Sequence, residues 1–429
     1  MTPVDEPRDP SGRPSIGRRA IAATVIGNWL EFFDFTVYAF FAVTIGKLYF
    51  PAGDETTSLL LSLSTFAVGF LTRPLGSVVL GIYADRRGRK AALTLTILLM
   101  AFSTLAIALT PTYAQIGIAA PLIVIAARLV QGFSQGGEFG AATATLVEAG
   151  SSSGRGLRGS LQLASQGAAS VLGASAAALL SNLLAPTDME AWGWRLPFLA
   201  GFLIAPVGLY LRRALPDEPR RGLEATAVLG ELWAHHKKSL LLVTLTIMGG
   251  TVTNYVLTFY MSTYAIHTLG MPQKLSMWIG AASGLTLLLT CPLFGAWSDR
   301  LCRRKPPMFI GRLTVAAALY PAFWLFNAQP SLPVVLPLTA LLMVFYSMGS
   351  APQFALMSET FPRRVRATGI SMAYAVSVTV FGGTSQAVVT WLIKATGNPL
   401  APAWYLSACL LASLVAVSQL KETGNLPLA

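Results

Sequence analysis

Charge is scarce in this chain. Only 12% of its 429 residues are Asp, Glu, Lys or Arg, about half the share of an ordinary soluble domain, while 54% are hydrophobic. A water-soluble globular fold is therefore excluded, and lipid is the solvent for most of the chain. Cysteine is scarce too. Cys291, Cys302 and Cys409 have the spacing of neither a zinc site nor a disulfide framework, and Cys291 and Cys409 read as small buried hydrophobes. The three histidines, His235, His236 and His267, lie in or beside polar breaks. No nucleophile elbow, phosphate-binding loop or metal-ligand cluster accompanies them. These absences argue against an enzyme and against a metal or other cofactor. The first twenty residues are polar and rich in Pro and Arg, without the apolar core and cleavage site of a signal peptide. The first apolar segment is thus read as a retained insertion signal.

What is abundant is apolar sequence in lengths of about 20 residues or more, each enough to cross a bilayer as a helix. Twelve such spans are expected, at 21–46, 57–84, 90–111, 114–148, 158–185, 193–213, 239–268, 272–298, 306–328, 331–360, 364–395 and 400–421. With the N-terminus in the cytoplasm, 24 of the 31 Lys and Arg fall on that side. Four fall outside (Lys47, Arg195, Lys274, Lys394) and three within spans (Arg73, Arg128, Arg312). This is the positive-inside pattern. The net charge of +12 therefore reports topology, with both termini cytoplasmic, and not a nucleic-acid partner.

The longest internal polar break, 214–238, divides the spans six and six. The expected organisation is a cytoplasmic tail (1–20), a bundle (21–213), a cytoplasmic linker (214–238), a second bundle (239–421) and a tail (422–429). The halves echo one another. Gly81-Ile-Tyr-Ala-Asp85-Arg86-Arg-Gly-Arg89-Lys90 returns as Gly295-Ala-Trp-Ser-Asp299-Arg300-Leu-Cys-Arg303-Arg304-Lys305, offset by 214. Glu148 returns as Glu359 and Arg158 as Arg366, offset by 211 and 208. A period of half the chain implies two similar six-helix bundles, a common plan for secondary carriers.

The 81–90 stretch resembles the loop signature of the major facilitator superfamily, and Arg128-Leu-Val-Gln131-Gly132 its fourth-helix motif. Four further stretches resemble the metabolite:proton symporters within it: Gly27-Asn-Trp-Leu-Glu31-Phe-Phe-Asp34-Phe, Arg73-Pro-Leu-Gly76, Gln131-Gly-Phe-Ser-Gln-Gly-Gly-Glu138 and Trp192-Gly-Trp-Arg195-Leu-Pro-Phe198. That family carries citrate, 2-oxoglutarate, shikimate and proline or betaine. The resemblance implies an all-α integral membrane protein of the major facilitator fold, with twelve transmembrane helices in two pseudo-symmetric bundles. It implies proton symport of a small organic acid by alternating access, in a bacterial inner membrane, by a monomer. Ser160-Leu-Gln162-Leu-Ala-Ser165-Gln166 resembles the fifth helix of the citrate and tricarballylate carriers more than that of the betaine carriers. A zwitterion or monocarboxylate remains the alternative substrate, and drug export a more distant one.

Ionisable residues at mid-bilayer are expensive and mark pathways or relays. Asp34 lies roughly 20 Å into the first helix by helical rise, sharing a face with Gly27, Glu31 and Tyr38. Arg128 lies at similar depth in the fourth helix, on one face with Gln131, Gln135 and Glu138. Asp34 and Arg128 are expected to form an ion pair that protonation releases, or else a structural pair joining two helices. Glu31 is a second carboxylate of that relay or a structural partner, and Glu138 an inner proton station or an interhelical hydrogen bond. Arg73 has no acid at helical spacing on its own helix, which suits a bidentate contact to a substrate carboxylate. Arg312 is expected to snorkel to the cytoplasmic surface as a structural residue. Gln162, Gln166, Asn254, Thr258 and Gln353 complete a candidate cavity lining with Tyr38, Gln131 and Gln135. By resemblance, Asp85, Arg89, Glu148, Arg158, Asp299, Arg303, Glu359 and Arg366 form a cytoplasmic latch between the halves.

Overall fold

The structure is a computed structural model that describes residues 18–87, 89–136, 138–149, 152–213 and 225–424. The tails before 18 and after 424, and linker residues 214–224, lie outside it. So do the side chains of Asp85, Arg89 and Glu138. All regular structure among the described residues is helical.

Grouped across short breaks, the long helices form twelve rods. The first six are α1 (Arg18–Phe40 and Ala42–Tyr49), α2 (Glu55–Leu71 and Arg73–Arg87), α3 (Arg89–Leu109), α4 (Ala119–Gln135 and Glu138–Glu148), α5 (Arg155–Leu183) and α6 (Leu196–Arg213). The second six are α7 (Lys237–His267), α8 (Gln273–Leu301), α9 (Lys305–Ala328), α10 (Leu332–Thr360), α11 (Arg366–Thr396) and α12 (Ala401–Gln419). Eight described helices, or nine counting the 62° bent pair of α1, are long and apolar enough to cross a membrane on length and composition alone. Leu71, Phe102, Leu183, Leu203, Leu293 and Trp404 are among the large apolar side chains left exposed, as a lipid-facing surface requires.

The breaks have local causes. Pro74, second in its helix segment, lacks the N–H that would continue α2, and the rod breaks at Thr72. In α4 the sequence Gly136-Gly137 removes two side chains at the break. Helix α7 passes through a π-helical stretch at Tyr255–Tyr260 and α11 through another at Val378–Gly382. The polar break at 214–238 contains a helix, Ala225–His235, whose Ala, Leu and Glu are strong helix formers.

The rods differ in depth. Of the most apolar window of α7, 89% is buried, against 39% for α9, so α7 is an inner wall and α9 a peripheral helix. The bundles meet along α5 and α8. A Cβ built on Gly167 would lie 2.6 Å from the Gly284 carbonyl oxygen, and one on Gly284 2.7 Å from that of Gly167. Backbones this close tolerate only glycine, and small residues are what brings membrane helices into such contact.

Candidate transport site and inter-bundle latches

Asp34 sits on α1 inside the first bundle, 6% exposed. Its carboxylate accepts a hydrogen bond from Thr104 Oγ1 of α3 at 2.7 Å. Thr104 in turn accepts from Gln131 Nε2 at 2.9 Å, and Gln131 Oε1 accepts from Arg128 at 2.7 Å. The direct Asp34–Arg128 ion pair expected from the sequence is not formed. A buried string of two neutral side chains joins acid to base, because the Arg128 guanidinium lies over the rings of Tyr38 (4.2 Å) and Phe35 (4.5 Å). Thr104, absent from the sequence-based site, carried no signal: it is one hydroxyl in an apolar helix.

Arg73, 3% exposed, lies over the Phe70 ring at 4.4 Å and donates to Gln135. Gln135 donates to the backbone oxygen of Glu31 at 3.2 Å, so Arg73, Gln135 and Glu31 come together as one group. From the second bundle, Tyr255 packs edge-on against Phe70 and Phe66, and Tyr374 stacks on Phe139. The aromatic walls were not foreseen, although Phe66 and Phe70 share a helical face.

The neutral candidates divide. Tyr38 donates to the Ser62 carbonyl at 3.2 Å. Gln162 and Asn28 exchange hydrogen bonds, clamping α5 to α1. Gln166 accepts from Asn254 across the seam at 3.5 Å, and Thr258 donates to Asn254 at 2.9 Å. Gln353 accepts from Arg312. The snorkelling expected of Arg312 does not occur: the residue is 2% exposed, because its side chain points into the second bundle, towards Gln353 and Ser413.

The end of the molecule carrying most of the basic loops is latched. Asp299 accepts from the backbone N–H groups of Gly156 and Leu157 at 2.8 Å each, at the N-terminus of α5, where the helix dipole favours an anion. Glu148 pairs with Arg366 at 2.6 Å and Glu359 with Arg155 at 3.6 Å. All three contacts cross between bundles. Arg158 donates to the Leu146 carbonyl at 3.2 Å. Arg303, expected in this latch, is exposed, and Arg304 takes its place, 1% exposed and paired with Asp299 at 2.7 Å and Glu359 at 3.0 Å. The reason is the left-handed backbone at Cys302 (φ 51°), which carries the chain one residue further before it turns inward. Burial alone would lower the Arg304 pKa, but the bonds and charges of Glu359 and Asp299 outweigh it and raise it.

A second latch closes the opposite end. Lys394 of α11 donates to Thr57 Oγ1 at 2.7 Å and pairs with Asp54 at 3.2 Å, and His267 lies 3.3 Å from Thr56. Asp54 caps α2 through the Thr57 N–H at 2.8 Å. The Thr57 bonds, then Lys394, lower its carboxyl to about 2. With contacts at both ends, the central polar groups Asp34, Arg73 and Arg128 are buried.

The family model described as the Major Facilitator Superfamily matches residues 24–383, and again 264–420. The chain belongs to the major facilitator superfamily. As a facilitator it is a multi-pass membrane transporter and not an enzyme, and its relatives place it among the metabolite:proton symporters. It is 35% identical to the glycine betaine/proline/ectoine/pipecolic acid transporter OusA of Dickeya dadantii, over 96% of this chain and 84% of that one. It is 35% identical to the citrate-proton symporter of Salmonella typhi (94% and 93% covered) and 33% identical to the alpha-ketoglutarate permease of Escherichia coli (95% and 94%). The fold matches the partially occluded inward-open xylose transporter XylE of E. coli with a TM-score of 0.77 at 18% identity, covering 96% of this chain and 99% of that one.

Proposed function

We propose that this facilitator imports a small organic acid, of the di- or tricarboxylate class that includes citrate, together with protons across a bacterial inner membrane. The basic, Asp299-bearing end faces the cytoplasm. Asp34 is the proton site. The observation that carries this reading is the buried Asp34–Thr104–Gln131–Arg128 string. A carboxylate inside a low-dielectric bundle, coupled to a cation through two polarisable groups, changes its proton occupancy when the cation's surroundings change. A substrate carboxylate arriving at Arg128 or Arg73 withdraws positive field from Asp34 and favours its protonation. Glu31, whose backbone oxygen accepts from the Gln135 that also accepts from Arg73, supplies the second carboxylate of this centre. The two latches are the alternating gates.

A second reading rests on the aromatic faces. Phe35, Phe66 and Phe70 lie against the arginines and Tyr255 packs on Phe66 and Phe70, and such faces suit a quaternary ammonium group. A zwitterion of the betaine type would then set its carboxylate on an arginine and its cation on these rings. Uptake into proteoliposomes under an imposed inward proton gradient decides between them, using citrate, succinate, butyrate and glycine betaine as substrates. Gradient-driven accumulation of citrate or succinate supports the first reading, accumulation of betaine alone the second. No gradient-dependent uptake of any of them contradicts both.

A further inference from the structure

Each bundle holds a polar nest among its first, third and sixth helices. In the first bundle, Thr104 of α3 donates to Asp34 of α1, and a Cβ built on Gly201 of α6 would lie 2.5 Å from Asp34 Oδ1. Moved on by 208, 215 and 212 residues, close to the 208 to 214 that separate the repeated motifs of the two halves, these three positions become Arg312 of α9, Gly249 of α7 and Ser413 of α12. They too are in contact. Arg312 donates to Ser413, and a Cβ on Gly249 would lie 2.9 Å from Ser413 Oγ. The charge has changed sign and moved from the first helix of the bundle to the third.

Arg312 differs from Arg128 and Arg73 in its surroundings. Arg128 is joined to an acid through hydrogen bonds and Arg73 lies on an aromatic face, whereas Arg312 has only the neutral acceptors Gln353 and Ser413. As at Arg73 and Arg128, its Nε has no hydrogen-bond partner and no ion pair among the described residues includes it; unlike them, it has no aromatic ring beneath it among the described residues. A buried guanidinium without a counter-charge is costly, and an arriving anion recovers that cost.

The nest lies one side chain behind the seam between bundles. A Cβ on Gly250 would meet Gln353 Oε1 at 3.1 Å and the Arg312 guanidinium at 3.9 Å. One helical turn along the same face is Asn254, which reaches Gln166 of the other bundle. Phe354, next to Gln353, packs on Gly159 of α5.

We propose that Arg312 is the second bundle's carboxylate contact, selecting substrates with two or more carboxylates. One carboxylate meets Arg73 or Arg128, and another displaces Gln353 from Arg312, so that the substrate bridges the bundles. This rests on the carrier function proposed above and adds a residue and a specificity to it.

The test compares succinate with butyrate, which have the same chain length but differ by one carboxylate. Affinities come from ligand-induced thermal stabilisation of purified wild type, Arg312→Gln and Arg312→Lys. Wild type should prefer succinate by tenfold or more. Arg312→Gln should reduce that preference to within about twofold of unity while butyrate affinity is unchanged, which structural damage alone would not do. Arg312→Lys should fall between, and it carries the test where the Gln variant does not fold. An unchanged preference in a folded variant, or no preference in wild type, overturns the role of Arg312 and leaves the carrier function standing. Wild type stabilised by none of succinate, butyrate, citrate and glycine betaine overturns both substrate readings proposed above.

Discussion

Replacing Asp299 by Asn should shift the protein towards states open at the basic end. The Asp299 carboxylate makes three contacts, with Gly156, Leu157 and Arg304, but only those that cross the seam are lost when the bundles part. These are the two hydrogen bonds from Gly156 and Leu157 at 2.8 Å each, since Arg304 belongs to the same half as Asp299. Hydrogen bonds to a charged group contribute about 1.5–3 kcal/mol each, and neutral ones about 0.5–1.5. Asn keeps one neutral acceptor of the two, so about 2.5–4.5 kcal/mol of seam stabilisation is lost. At about 1.4 kcal/mol per tenfold, the open-to-closed ratio rises by about 60-fold or more. The assay is maleimide labelling of a cysteine placed at Leu163, which is 3% exposed and on α5 inside the latch. The background carries Cys302→Ser, because Cys302 is the exposed native thiol while Cys291 and Cys409 are buried. Labelling should accelerate in Asp299→Asn. An unchanged rate in a variant of normal abundance would refute the latch.

The opposite latch gives the converse. Lys394→Met should raise labelling from the other face and lower it at the basic end. The Asp54 carboxyl is held near 2, below its ordinary value of about 3.9. Its contribution to closure is therefore complete above about pH 4 and lost only as pH falls towards 2, so Asp54 should add no step from pH 5 to 8 in labelling experiments, where His267 beside Thr56 is the titratable group of this latch. A step in that window assigns control to another group. Gln131→Leu cuts the string between Arg128 and Thr104 and should impair gradient-driven accumulation more than counterflow exchange. Equal losses in both would count against the string as a coupling element.

The spans, the family and the mid-membrane charges were legible because lipid leaves no cheap place for a charge, so each one stands out in an apolar run. Neutral partners were not legible. Thr104 is indistinguishable in sequence from other helix hydroxyls that bond their own backbone, such as Thr244 and Thr251. Arg303 and Arg304 are adjacent identical letters, and only the left-handed turn at Cys302 decides which enters the latch. The depth of Arg312 was misjudged because helical rise fixes height and not direction: its side chain turns inward to Gln353 instead of towards the surface. Lys394 and Asp54 lie 340 residues apart, and no periodicity links them.

The central claim is that Asp34 carries the coupled proton. Its most direct test is substrate-driven proton movement in proteoliposomes loaded with a pH dye, comparing wild type with Asp34→Asn. With an accepted carboxylate added outside and no imposed gradient, wild type should acidify the lumen. Asp34→Asn, which keeps the side-chain shape but holds no exchangeable proton, should still exchange labelled substrate without acidification. Wild-type acidification by Asp34→Asn would contradict the account.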